Sequence, residues 1–160
     1  MPNIFHISNT DVSIDSRIVK ELGSLGEISD VRLFAIGVPE IQPPNISNSP
    51  GLEFIYIHLV SRQLSFLPRA IRYFFELIEF TFKSVRVARQ RRADLVHCHD
   101  TFALPAGWII KFLTGCKLVY DAHELESNKN GQNKALSLAT LWIETFCWPK
   151  VALLVSVSDS

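Results

Sequence analysis

The chain has 160 residues, 48% of them hydrophobic and 20% charged, which suits one globular domain with its own core. Equal numbers of basic and acidic residues give a formal net charge of zero, which argues against a general polyanion binder and against a nucleic-acid partner. Three widely spaced cysteines indicate no disulfide framework. The chain lacks a signal-like start and a spanning apolar run, so we expect a cytoplasmic location.

Apolar runs alternate with turn residues and predict six strands, over residues 3–8, 31–36, 53–60, 94–99, 117–122 and 152–158. Helical spacing of apolar residues predicts four helices between them. Their signals are the stripe Ile14, Ile18, Leu22 and Leu25; the stripe Leu67, Ile71, Phe74, Ile78, Phe82 and Val85; the span between Pro105 and Gly115; and the stripe Leu136, Ala139, Ile143 and Phe146 before Pro149. Residues 37–51 and 128–133 predict loops.

This alternation predicts an α/β fold, a Rossmann-like open and mostly parallel sheet with helices on both faces. In such sheets ligands bind beyond the carboxyl ends of the strands. Polar residues follow four of the predicted strands, so the same edge of the sheet is the predicted binding crevice.

His97 and His99 are two residues apart in a strand and therefore point to the same side. We expect His97 to be a hydrogen-bonded core histidine, and His99 and Asp100 to lie at the mouth of the crevice. Asp100 with Thr101 serves equally well as a cap for the following helix.

His123 is the strongest candidate for a functional residue. It follows the fifth predicted strand between Asp121 and Glu124, whose charges are expected to raise the pKa of His123. An imidazole there can exchange hydrogen bonds with a hydroxyl-rich ligand. The alternative is a loop histidine bonded only within the protein.

The turn after the first strand contains Asn9, Thr10 and Asp11 and no glycine. Neither glycine-rich nucleotide fingerprint is therefore present. The turn either offers backbone N–H groups to a phosphate or consists of ordinary turn and cap residues.

The predicted long helix, from Phe66 to Arg92, is rich in aromatic residues and ends in a basic turn. Between Arg62 and Arg92 there are eight basic and two acidic residues. This combination predicts a membrane-surface helix, the alternative being an ordinary covering helix with a solvated basic end. The basic turn contains Arg86, Arg89, Arg91 and Arg92.

Three motifs carry a resemblance to a known family. They are His97-Cys98-His99-Asp100, Leu104-Pro105-Ala106-Gly107 and Tyr120-Asp121-Ala122-His123-Glu124. Together with the opening and closing strands, they resemble the N-terminal domain of GT-B fold glycosyltransferases of the family 4 group. The resemblance extends over the whole chain.

The resemblance implies a single acceptor-side domain over residues 1–160, with the donor-binding C-terminal domain absent from this chain. It implies a retaining transfer of sugar from a nucleotide-sugar, used as a co-substrate with no metal or other cofactor, to a glycan or lipid-linked acceptor. His123 would be catalytic and reach the donor sugar. His99, Asp100, Asp121 and Glu124 would bind substrate, and Asn9, Thr10 and Asp11 would face the donor diphosphate.

A chain without the donor domain is expected to be inactive alone, so a second chain carrying that domain is a predicted partner. Two other functions stay open. His97, His99, Asp121 and His123 form the pattern of a metal-dependent hydrolase. The chain can also be a non-catalytic membrane-docking subunit of a split transferase, peripheral at the inner face of the membrane.

Overall fold

The computed structural model describes residues 1–28, 30–39, 51–122 and 134–156. Six strands alternate with four helices along these segments. The strands are β1 (Asn3–Ile7), β2 (Arg32–Gly37), β3 (Leu52–Tyr56), β4 (Leu95–Cys98), β5 (Lys117–Ala122) and β6 (Leu153–Ser156). The helices are α1 (Ser16–Gly26), α2 (Arg69–Gln90), α3 (Leu104–Thr114) and α4 (Lys134–Cys147), and short 3₁₀ turns cover Val60–Gln63 and Trp148–Lys150.

The strands form one sheet in the order β3-β2-β1-β4-β5-β6, and every pairing is parallel. The strand order reverses between β1 and β4, where His6 is the register partner of His97. An open parallel sheet binds its ligands at the carboxyl side of such a reversal point. The predicted fold class, a Rossmann-like sheet with helices on both faces, is therefore confirmed.

Three helices cover one face of the sheet. Phe80 and Ala88 of α2, Ile110 of α3 and Cys147 of α4 belong to one buried cluster with the inward side chains of the strands. Gly107 brings α3 so close to the sheet that an added Cβ atom would lie 2.4 Å from the Sγ atom of Cys98. Glycine is therefore required for this helix to pack at its observed distance.

Helix α1 covers the opposite face over β1, β2 and β3 and reaches as far as β4. Ile18 and Leu22 are buried there against Leu33 and Ala35 of β2. Asp15 caps the helix, accepting hydrogen bonds from the backbone N–H groups of Arg17 and Ile18. Because α1 does not extend across β6, Leu153 and Val155 on this face are exposed.

Most predicted elements agree with the structure, and the third strand differs most. It ends at Tyr56 instead of continuing to residue 60, because the chain turns into the 3₁₀ segment at Val60. In the first stripe, Ile14 lies before α1 and is exposed, so the helix begins later than the apolar spacing indicates. The loop prediction for residues 128–133, and residues 40–50 of the loop predicted over 37–51, lie outside the described residues.

Helix α2 is present as predicted, but most of its apolar stripe faces solvent. Ile71, Phe74, Ile78 and Phe82 are exposed, Phe82 by 68% of its surface. The face buried on the sheet carries Phe80, Ser84 and Ala88 instead. The helix is apolar on more than one side, so its periodicity predicted the helix without fixing which side packs. Phe146 of α4 is likewise exposed.

Candidate functional site

The loop after β1 and the first residues after β4 meet at the carboxyl edge of the sheet. The Asp100 carboxylate connects them: its Oδ2 atom accepts hydrogen bonds from Ser8 Oγ at 2.8 Å and from Asn9 N at 2.7 Å. Its Oδ1 atom accepts from Ala103 N at 2.6 Å, in the turn that leads into α3. Asp100 thus ties the β1 loop to the residue that precedes α3, and α3 itself has no side-chain cap at its first turn.

The three residues predicted to face a diphosphate differ in exposure. Thr10 is exposed and Asn9 is half-buried, so both lie at the surface of the edge. Asp11 is buried and its Oδ1 atom accepts from the backbone N–H and the hydroxyl of Ser13. Asp11 therefore stabilises the turn between β1 and α1, because its carboxylate is directed into the loop.

Arg62 is a cation at this edge that the sequence analysis did not single out. Its guanidinium donates to Asn9 Oδ1 at 3.1 Å, and its Nε atom lies 3.7 Å from Glu76 Oε2. An arginine beside the β1 loop can bind an anionic group there. The only signal in the sequence was a basic residue within a net-positive stretch, which does not distinguish Arg62 from its neighbours.

Glu79 of α2 holds the segment that carries Arg62. Its carboxylate accepts hydrogen bonds from Val60 N, Ser61 N and Ser61 Oγ, and lies 2.7 Å from Lys83 Nζ. Partial burial acts to raise the pKa of Glu79, but the bonds from Lys83, Ser61 and Val60 outweigh it and lower that pKa to about 2. Glu79 therefore stays charged and anchors this turn at neutral pH.

Beneath the same edge, three histidines and a glutamate form a compact group that we call the histidine cluster: His6, Glu21, His97 and His99. His6 Nδ1 lies 2.9 Å from His99 Nε2, and Glu21 Oε2 lies 3.4 Å from His97 Nδ1. Burial, and then the neighbouring His97, lower the pKa of His6 to about 3, so this imidazole is neutral at pH 7. Burial, and then the charge of Asp121, raise the pKa of Glu21.

The expected order of burial for the two strand histidines is wrong. The His99 side chain is 3% exposed and that of His97 is 11% exposed, so His99 does not lie at an open mouth. His99 is enclosed by His6 and faces the buried Asp121, whose Oδ2 atom is 3.9 Å from His99 Nδ1. His97 lies two residues before His99 along β4 and borders the open cavity on the face that α1 leaves uncovered.

Further along the edge, a buried polar network joins β5 to α4. Glu144 Oε1 accepts hydrogen bonds from Thr101 Oγ1 at 2.9 Å and from Tyr120 Oη at 3.1 Å. Glu144 was not predicted, because a lone acidic residue in a helix gives no sign of burial. His123 and Glu124, the predicted catalytic and substrate-binding residues, lie outside the described residues, so their roles remain predictions.

Comparison with known proteins identifies the family to which this chain belongs. The sequence model described as the glycosyl transferase 4-like domain matches residues 16–160. This chain therefore belongs to the glycosyl transferase 4-like domain family. No curated protein sequence matches it.

Solved structures share the fold at low sequence identity. Sucrose-phosphate synthase from Thermosynechococcus elongatus matches with a TM-score of 0.70 at 16% identity, over 96% of this chain and 42% of that one. The glycosyltransferase SsfS6 of Streptomyces sp. SF2575 matches with a TM-score of 0.58 at 14% identity, over 98% and 50%. MurG of Acinetobacter baumannii matches with a TM-score of 0.56 at 12% identity, over 100% and 42%. The chain thus spans half or less of these three structures, and its fold is the Rossmann-like domain of the GT-B glycosyltransferases.

Proposed function

We propose that this domain is the acceptor-side half of a retaining glycosyltransferase that moves sugar from a nucleotide-sugar to a glycan or lipid-linked acceptor. The observation that carries the proposal is the edge where the strand order reverses, at which Asp100 holds the β1 loop. Asn9 and Thr10 of that loop, and Arg62 beside it, can contact a diphosphate. The surface they form suits one side of a cleft between two domains.

His123, which follows β5 in the sequence, is the catalytic residue in this proposal and would reach the donor sugar. Asp121 and Glu124 flank it in sequence, and with Asp100 they complete the proposed substrate side. Departure of the nucleoside diphosphate needs preorganised positive charge and hydrogen-bond donors. The donor domain is proposed to supply most of them, either as a continuation of this chain or as a second chain, without a metal cofactor in the transfer step.

We therefore expect the 160-residue chain to release no nucleoside diphosphate above background when incubated with nucleotide-sugars. Adding the donor-binding domain, in the same chain or as a partner, is expected to start release. In the active enzyme, His123→Ala is expected to lower kcat by about 100-fold or more, and exposed His58→Ala to leave it unchanged. Turnover by the isolated chain would contradict the proposal that the donor domain is needed for transfer. An unchanged kcat in His123→Ala would contradict the catalytic role of His123.

The exposed side of α2 supports a second part of the proposal, peripheral attachment to the cytoplasmic face of a membrane. Phe74, Phe75, Ile78 and Phe82 present a contiguous apolar surface on a helix about 33 Å long. Exposed apolar surface of this kind marks an interaction site, and exposed Arg86 and Arg89 add attraction to anionic lipid. No helix in the described segments is long and apolar enough to cross a membrane.

Not every arginine of the predicted basic turn is available for lipid. Arg91 pairs with Glu53 and stacks over the Phe34 ring, with its Cζ atom 5.1 Å from the ring centroid. Arg92 is exposed and has a φ angle of 53°, where the chain leaves α2 for β4. Arg86, Arg89 and Arg92 are therefore the basic residues proposed to contact lipid.

Vesicle co-sedimentation tests this attachment. The double variant Phe74→Ser with Phe82→Ser is expected to bind vesicles with anionic lipid about tenfold more weakly or worse, because two phenyl groups no longer enter the interface. The matched control is Phe112→Ser on α3, which is 78% exposed and outside the proposed surface. Equal losses in both variants, or no binding by the native chain, would refute the membrane role of α2.

A further inference from the structure

The histidine cluster lies between α1 and the sheet and brings together groups that are distant in sequence. His6 is in β1, His97 and His99 are in or just after β4, and Glu21 is on α1. Each offers one atom that can ligate a metal ion, and the four atoms all lie within 4.8 Å of one another. The converging atoms are His6 Nδ1, His97 Nδ1, His99 Nε2 and Glu21 Oε2.

The spacing of these atoms matches a tetrahedral site. Four ligands at about 2.0–2.1 Å from a zinc ion are separated from each other by about 3.4 Å. Glu21 Oε2 lies 3.7 Å from His6 Nδ1, 3.4 Å from His97 Nδ1 and 3.8 Å from His99 Nε2. His6 Nδ1 and His99 Nε2 are 2.9 Å apart. Side-chain movements of a few tenths of an ångström would accommodate an ion.

A second observation is independent of this geometry. Glu21 Oε2 is a buried carboxylate oxygen that accepts no hydrogen bond within the described part of the chain. A buried carboxylate oxygen that lies 3.4–3.8 Å from three imidazole nitrogens and accepts no hydrogen bond is stabilised when a cation binds between them. Glu21 is thus placed as a metal ligand would be, and not as the acceptor of a finished hydrogen-bond network.

The residues around the histidine cluster leave a path for an ion from solvent and orient one of the imidazole rings. A cavity of about 500 Å³ borders His6, Glu21 and His97 on the open part of the sheet face, and it connects the cluster with solvent. On the inner side, Asp121 Oδ2 faces His99 Nδ1 at 3.9 Å. The negative charge of Asp121 favours a proton on Nδ1 of His99, and in that tautomer Nε2 is the nitrogen available to a metal.

We propose that His6, Glu21, His97 and His99 bind one Zn²⁺ ion that joins α1 to β1 and β4. Imidazole and carboxylate ligands in tetrahedral arrangement favour zinc over the oxygen-seeking magnesium and calcium ions. The site differs from the hydrolase pattern of the sequence analysis, because His6 and Glu21 replace Asp121 and His123 as ligands. It is independent of the proposed transferase function, since the ion would hold the domain together and take no part in sugar transfer.

Calorimetric titration of the chelator-treated chain with Zn²⁺ tests the site. We expect saturable binding of one ion per chain and a higher Tm in the presence of Zn²⁺, because the ion binds only the folded state. Co²⁺ in place of Zn²⁺ is expected to give the strong visible d–d bands of tetrahedral coordination. A thiolate-to-cobalt charge-transfer band would overturn the assignment, because the cluster contains no cysteine.

Three variants separate the site from adventitious binding. Glu21→Gln keeps the size of a partly exposed helix side chain, and His97→Ala removes the least buried imidazole; each is expected to weaken Zn²⁺ binding by about tenfold or more. The control is exposed His58→Ala, which is expected to bind as the native chain does. Circular dichroism of the metal-free proteins distinguishes lost binding from lost folding. The proposal fails if folded Glu21→Gln binds like the native chain, or if His58→Ala loses binding equally.

Discussion

Replacing Gly107 by alanine is expected to lower the free energy of unfolding by about 2 kcal/mol, despite the better helix propensity of alanine. The added Cβ atom would lie 2.4 Å from Cys98 Sγ and 2.7 Å from Leu118 Cδ1. Both neighbouring side chains are fully buried, and a close-packed interior resists the shifts that an extra methyl group would demand. Helix α3 must therefore move away from β4 and β5, and the core beneath it loses contacts.

Gly23→Ala in α1 is the matched control for this prediction. Gly23 is also inside a helix, but no atom lies within 4 Å of its added Cβ. This variant is expected to gain about 0.5–1 kcal/mol from helix propensity alone. Thermal unfolding should thus shift in opposite directions for the two variants, by roughly 2–4 °C per kcal/mol. Equal shifts would show that α3 does not depend on its close approach to the sheet.

Asp100→Ala is expected to destabilise the domain by about 3 kcal/mol and to release the β1 loop, because three hydrogen bonds lose a charged acceptor. The loop contributes Ser8 and Asn9 to these bonds, and the start of α3 contributes Ala103. Amide hydrogen exchange measured by NMR should show faster exchange at Asn9 and Ala103. In the proposed transferase, the same variant should also weaken diphosphate binding at this edge.

Asp100→Asn sharpens the test. Each carboxylate oxygen of Asp100 faces a backbone N–H, of Asn9 on one side and Ala103 on the other. An amide therefore points its NH₂ group at one of these donors whichever way it turns, and we expect roughly half of the loss in the alanine variant. Exposed Asp30→Ala should stay within about 0.5 kcal/mol of the native chain. Unchanged exchange at Asn9 in Asp100→Ala would disprove the coupling of loop and helix.

Local sequence patterns were enough to predict the class of fold and the sheet edge at which the strands end. Apolar runs between turn residues identify the strands, and β5 was predicted at its observed bounds, Lys117–Ala122. Pro105 and Gly115 bracket α3, where Gly115 has the left-handed φ angle of 75° that a helix end requires. These signals are local and depend only on residues a few positions apart. The alternation of strands with helices then predicts that polar strand ends share one edge.

Tertiary structure alone decided which residues meet and which faces are covered. His6 joins His97 and His99 because β1 and β4 are parallel neighbours, although 91 positions separate His6 from His97 in the chain. The apolar stripe of α2 predicted a helix, but competition among several apolar sides for one sheet left that stripe in solvent. The sequence around Glu144 is typical of a surface helix, whereas in the fold its carboxylate is buried and accepts hydrogen bonds from Thr101 and Tyr120. Each of these outcomes depends on strand order and packing between distant segments, and local sequence patterns carry no information about either.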